Sequence, residues 1–119
     1  MPDLLPILDP RPLRDLLEMG AEPGLVTELI GLLEADVPAR IGALRKALER
    51  EDGDAAIPEA HQLKGALGTM GFQRFAELGH RMEEHLRAGE WEAARNLLEA
   101  FPDAYGEALA AIRAAFPEA

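Results

Sequence analysis

One imidazole, one ammonium and two missing side chains pose the chemical question in this chain. His61, Lys64, Gly65 and Gly68 recur within residues 59–72, and on a helix turning ~100° per residue they share about a 100° arc. Leu63, Leu67 and Met70 recur at the helical interval on a face centred roughly 130° away. One face packs, and the other is polar and bare. Each glycine inside a helix forgoes about 1 kcal/mol against alanine, so two of them beside a histidine mark space kept clear around the ring. Glycines at this spacing also suit the close crossing of another helix, but Lys64 is a strongly hydrated charge and would be badly placed in such a crossing.

The chemistry that suits this face is covalent phosphoryl carriage. A neutral imidazole has one nitrogen with a free lone pair that can attack phosphorus, and another bearing a proton that a partner can hold. A carboxylate on that proton would fix the tautomer and raise the nucleophilicity, as outer carboxylates do for metal-bound histidines. Lys64, about one turn on, is placed to balance phosphoryl oxygens as a point charge. Glu59 is two residues from His61 and lies on a different face, so the carboxylate has to come from the neighbouring helix. Glu83 lies at the rim of the stripe Phe75, Leu78, Met82 and Leu86 and is the candidate.

The elements that must position these groups are helices. Hydrophobic residues make up 48% of the 119 residues and aromatics 5%; the excess is Leu and Ala, the best helix formers, and no strand-type run appears. The class is all-α. Asp9-Pro10 is expected to cap a short first helix carrying Leu13, Leu16 and Leu17, stopped at Gly20, a lid or brace for the rest. From Pro23 to about Arg50, the positions Val26, Ile30, Leu33, Val37, Ile41, Leu44 and Leu48 predict a long amphipathic helix with a local bend at Pro38. Residues 51–54 form a turn, with Asp54 as the cap of the His61 helix, Pro58 in its first turns and Gly68 to Gly71 at its end. A helix from about Phe72 to Ala88 turns Phe75, Leu78, Gly79, Met82 and Leu86 inward and closes on Gly89. A last helix from about Trp91 to Phe116 runs through Ala94, Leu98, Phe101, Tyr105, Leu109, Ile112 and Phe116, bent at Pro102. Together these predict an antiparallel four-helix bundle with an additional short N-terminal helix, one domain over residues 1–119.

Composition excludes several functions. With 22 acidic against 12 basic side chains and a net charge of −10, nucleic-acid binding is disfavoured, because it depends on clustered Lys and Arg; acidic membranes are disfavoured for the same reason. There is no cysteine, hence no disulfide and no thiolate zinc site. The start lacks a basic leader and no run approaches the ~20 apolar residues of a membrane span, so a cytoplasmic protein is expected. A carboxylate-bridged di-iron centre needs two Glu-x-x-His segments; Glu77 to His80 supplies one, facing away from the apolar stripe, and no metal is expected.

These residues together resemble the histidine phosphotransfer family of two-component signalling. His61-Gln62-Leu63-Lys64-Gly65 is similar to the family's His-x-Leu-Lys-Gly signature, and Gly71, Phe75, Leu78, Met82 and Glu83 follow at its intervals. The likeness is strong over about residues 56 to 84, and Glu34-Ala35-Asp36-Val37-Pro38 with the helix after it is similar to what precedes the site in many members. Residues 65–72 and His80-Arg81-Met82-Glu83 look most like the phosphoacceptor domain of chemotaxis-type histidine kinases. The resemblance implies that His61 accepts the phosphoryl group on Nε2, that Glu83 binds the Nδ1 proton, that Lys64 assists, and that His80 joins the hydrogen-bond network. Leu67 stands where many members have Ser or Ala, and Gly79 where many have Cys or Ala; both are packing positions.

The chain has no ATP-binding boxes of a histidine kinase, no P-loop and no receiver-type acidic cluster. The resemblance therefore implies a carrier, not an enzyme, passing a phosphoryl group between a histidine kinase or receiver Asp and a downstream response-regulator receiver, which supplies Mg²⁺ at its own aspartate. No cofactor is expected on this chain. Docking is expected over Gln62, Gly65, Ala66, Gly68 and Thr69, and a monomer is the simplest state. The initiating Met1 and the terminal helix favour a free-standing shuttle; the alternatives are an acceptor domain split off from a chemotaxis-type kinase and a helical adaptor that is never phosphorylated.

Overall fold

The computed structural model describes residues 5–119; residues 1–4, part of the stretch read as leaderless, lie outside the described residues. Six helices follow one another: α1 (Arg11–Glu18), α2 (Leu25–Glu49), α3 (Gly53–Met70), α4 (Gln73–Arg87), α5 (Trp91–Leu98) and α6 (Phe101–Ala115). Among the described residues there is no strand, and no helix is long and apolar enough to cross a membrane.

The apolar periodicity decides the packing. All seven predicted positions of α2 are buried, with Ala47 beside them, and Phe75, Leu78, Gly79, Met82 and Leu86 of α4 are buried as well. On α3 the inward side is Ala56, Ala60, Leu63 and Leu67, with Met70 half-buried against them. Helix α3 packs on α2 and α4, α4 packs on α5 and α6, and α5 and α6 return to α2, so these helices close around one core. Phe75 meets Phe101 edge-on at 5.5 Å between ring centroids, a favourable aromatic geometry that locks α4 to the start of α6.

Three local predictions shift. The last helix is two: α5 ends at Leu98 and α6 begins at Phe101. Pro102 has no N–H to give the Leu98 carbonyl and its ring crowds that carbonyl, so it sits in the first turn of a new helix, where it does no harm. Pro38 has the same handicap, yet α2 runs on through it; Leu33, Val37 and Ile41 are buried on both sides of it. The cap of α3 is Asp52, whose side chain accepts from the Ala55 N–H at 3.2 Å, and Asp54 lies inside the first turn. On α1 only Leu13 is buried, and Leu16 faces solvent.

The turn from α3 to α4 fixes how the two helices face each other. Gly71 ends α3 in the left-handed region at φ 99°, a conformation that side chains resist, and the Phe72 N–H returns to the Leu67 carbonyl at 2.9 Å. The lead-in to α1 closes over this turn: the Asp9 N–H donates to the Gly71 carbonyl at 2.8 Å, and a Cβ on Gly71 would collide with the Asp9 carbonyl oxygen.

Candidate functional site

Helices α3 and α4 approach closely where Gly79 faces Lys64. A Cβ at Gly79 would lie 3.1 Å from the Lys64 backbone nitrogen and 3.2 Å from its Cα, so the missing side chain permits the approach. One turn further along α4, Glu83 then reaches α3. It is the one buried charged residue among those described, 7% exposed, at the rim of an otherwise apolar stripe.

Donors reach it from both helices. The His61 ring stands 60% exposed with Nδ1 at 3.2 Å from Glu83 Oε1, and the Lys64 ammonium lies 3.1 Å from the same oxygen. Arg87, one turn on along α4, donates from both Nε at 2.9 Å and Nη2 at 2.7 Å to Oε2. Burial pushes the Glu83 carboxyl up, the largest single influence, but hydrogen bonds from Arg87, Lys64 and His61 together outweigh it and hold the pKa down to about 2. Glu83 is therefore a carboxylate at neutral pH and can only accept. In the neutral ring the His61–Glu83 bond then requires the proton on Nδ1, which leaves Nε2 as the nitrogen with the free lone pair.

The structure thus brings His61, Lys64 and Glu83 together. It does not bring His80 to them: His80 Nε2 lies 3.3 Å from Glu84 Oε1, one turn away on the solvent side of α4. Arg87 is the residue the sequence reasoning missed. Its signal was an acid four residues before a base on one helix, a favourable pairing, but one that most exposed helices carry. Glu59, read as facing elsewhere, pairs with Arg40 of α2 at 3.3 Å.

Of the expected docking residues, Gln62, Gly65, Ala66, Gly68 and Thr69 are all exposed. Nothing lies within 4 Å of a Cβ built on Gly65, whereas one on Gly68 would touch Ala76 of α4 at 3.5 Å, an ordinary contact. The Thr69 hydroxyl donates to the Gly65 carbonyl at 2.8 Å. Gln62 and Ala66 also line an apolar groove of about 250 Å³ between α2 and α3, with Leu29, Leu32, Leu33 and Met70; the exposed Leu32 was not foreseen. Among the described residues no cluster of three or more His, Cys, Asp or Glu is arranged to hold a metal ion.

The structure thus sets an exposed imidazole against a buried carboxylate on an adjoining helix. In comparison with known proteins, the family described as Hpt domain matches residues 28–115, and the chain belongs to it. As a member of that family, this domain serves histidine phosphotransfer in a phosphorelay. It is 28% identical over 91 residues to the aerobic respiration control sensor protein ArcB of Escherichia coli K12, and equally to those of Shigella flexneri and Escherichia coli O157:H7, covering 71% of this chain. The aligned stretch is 12% of the length of each relative. No solved structure matches.

Proposed function

We propose that His61 is the phosphorylated residue and that the chain carries the phosphoryl group between a histidine kinase or receiver Asp and the Asp of a response-regulator receiver. The observation that supports this best is the ionised, buried Glu83 at 3.2 Å from His61 Nδ1, which leaves Nε2 as nucleophile. In transfer from an aspartyl phosphate, the Nε2 lone pair forms the N–P bond while the P–O bond to the aspartate breaks and its electron pair stays on that carboxylate. The Nδ1 proton remains in place, and the Glu83 charge stabilises the positive charge that develops on the ring. Return transfer reverses each step. Lys64 turns from Glu83 Oε1 to the phosphoryl oxygens, a small displacement for a flexible ammonium.

The receiver brings Mg²⁺ to its own aspartate, and this chain supplies position and no nucleotide or metal chemistry of its own. The exposed Gln62, Gly65, Ala66, Gly68 and Thr69 form the docking face, continued by the α2–α3 groove. The chain works as one unit: an antiparallel four-helix bundle in which α5 and α6 together form the fourth member and α1 is the extra helix, a reading supported by the closed cycle of packed pairs. A cytoplasmic monomer suits this role. The finer likeness to chemotaxis-type acceptor domains rests on the motif residues 65–72 and 80–83; His80, paired with Glu84, adds nothing to it. A free-standing shuttle and an acceptor domain split from a kinase use the same chemistry at His61.

Treatment with phosphoramidate, a small phosphoryl donor, gives an acid-labile, alkali-stable label that passes to purified receiver domains with Mg²⁺. The label is lost in His61→Gln and kept in His80→Gln and His85→Gln. A label that survives in His61→Gln refutes the assignment. A wild-type chain that takes no label is the adaptor.

A further inference from the structure

Glu83 has two oxygens and they are used differently. Both Arg87 nitrogens, Nε at 2.9 Å and Nη2 at 2.7 Å, converge on Oε2, while Oε1 meets His61 Nδ1 and the Lys64 ammonium. The Arg87 guanidinium is itself 60% exposed, but the carboxylate it holds is 10% exposed. An exposed pair of this spacing would exchange freely with water and leave the chemistry on α3 untouched. Here one end of the pair is buried, and the guanidinium is planar with fixed N–H directions. The fork therefore anchors Oε2 on the Arg87 side and leaves Oε1 turned toward α3. Lys64 cannot do so, because a three-donor ammonium on a flexible stem follows the oxygen wherever it turns.

Resting on the reading of His61 as acceptor, we propose that Arg87 is a positioning residue of the site: by occupying Oε2 it commits Oε1 to α3, which keeps His61 in the Nδ1–H tautomer with Nε2 as the nucleophile. Without the fork, Glu83 rotates toward Lys64 and solvent, and the ring loses the acceptor that selects between its two neutral forms.

The test uses the full chain and two readouts. The ring ¹⁵N shifts of His61 above its titration give the tautomer ratio, and phosphoramidate gives the rate of His61 labelling without any protein partner. Arg87→Met, which keeps the apolar stem, is expected to lower the Nδ1–H share and to slow labelling by roughly 10-fold, the lower end of what the hydrogen-bonded partners of an oriented histidine contribute. Arg87→Lys, which keeps charge but not the fork, falls between wild type and Arg87→Met on both readouts. Wild-type tautomer ratio and rate in Arg87→Met overturn the proposal and make Arg87 an ordinary surface ion pair. If Arg87→Met loses helical content, Arg87→Lys decides: a tautomer ratio equal to wild type rejects the fork. A wild-type chain unlabelled at His61 refutes the acceptor assignment, and the tautomer ratio alone then tests the orienting role of Arg87.

Discussion

Helix α4 carries two kinds of histidine–carboxylate contact, one toward α3 and two toward solvent, and distance does not tell them apart. His61 lies 3.2 Å from Glu83, His80 3.3 Å from Glu84 and His85 3.0 Å from Glu90. What differs is the acid. The Glu83 side chain is 10% exposed, against 66% for Glu84 and 57% for Glu90, and only Glu83 of the three is also held by Arg87 and Lys64. An exposed acid trades its histidine for water at little loss. A buried one, already oriented, has nowhere else to turn. A carboxylate near a histidine is thus a weak signal of chemistry, and a carboxylate that cannot leave is a strong one.

The largest test of this contrast is neutralisation of each acid. Glu83→Gln is expected to slow phosphoramidate labelling of His61 by about 10- to 100-fold, while Glu84→Gln and Glu90→Gln stay within about 2-fold of wild type, as screened surface pairs should. If Glu84→Gln slows labelling as much as Glu83→Gln does, the distinction between inner and outer contacts collapses.

Acid stability sharpens the same contrast. Folding lowers the Glu83 pKa from 4.5 to about 2, so between these values the unfolded chain binds the proton and the folded protein does not. The stabilisation is fully present above pH 4.5 and is lost as pH falls through about 2, at most about 3 kcal/mol. Urea midpoints followed between pH 6 and about pH 2 should therefore fall less steeply in Glu83→Gln than in wild type. Asp9 is also held down to about 2, chiefly by its hydrogen bonds with Arg11, but it is present in both proteins and drops out of the difference. Parallel curves for the two proteins would mean that Glu83 is no better held than an exposed acid.

Much of this arrangement was legible in the sequence, and the exceptions share a cause. Helical periodicity placed seven of the eight buried positions of α2 and the inward side of α4, because burial repeats with the helix and leaves its mark every three to four residues. It also placed Glu83 at a rim, from which α3 was one side chain away. Features set by one pairwise encounter were not legible. Arg87 looks like any basic residue four places after an acid. Gly65 and Gly68 read as one cleared surface, yet a Cβ on Gly68 would touch Ala76 and one on Gly65 would meet nothing within 4 Å. Asp52 and Asp54 are both able caps, and the turn geometry chose Asp52. Two prolines inside apolar helical patterns had opposite outcomes, α2 continuous at Pro38 and a new helix at Pro102. His80 came from family likeness and not from geometry.

The glycines repeat the contrast between inside and outside the crossing at smaller scale. In Gly79→Ala the new methyl meets the Lys64 backbone at 3.1 to 3.2 Å, and backbone cannot swing aside. The helices must separate by a few tenths of an ångström, at a loss of about 1–3 kcal/mol as for other overpacked sites, read as a lower urea midpoint. The same separation lengthens the His61–Glu83 contact, so labelling by phosphoramidate slows too. A Gly79→Ala protein with unchanged stability and rate would show that the crossing has slack and that the short reach of Glu83 does not depend on it.

Gly65→Ala carries the smallest expected effect on the fold, with the opposite sign. With nothing within 4 Å of the added methyl, alanine replaces glycine in an exposed helix interior and should raise stability by up to about 1 kcal/mol. The site itself is unaltered, so phosphoramidate, which needs no docking, should label His61 at the wild-type rate. Transfer to a receiver domain should be slower, because the methyl stands where the partner approaches. These three measurements separate the reasons a glycine can have. Lower stability would make Gly65 a packing residue like Gly79. Higher stability with unchanged receiver transfer would leave the bare face without a purpose at this position, and would move the docking surface toward the α2–α3 groove.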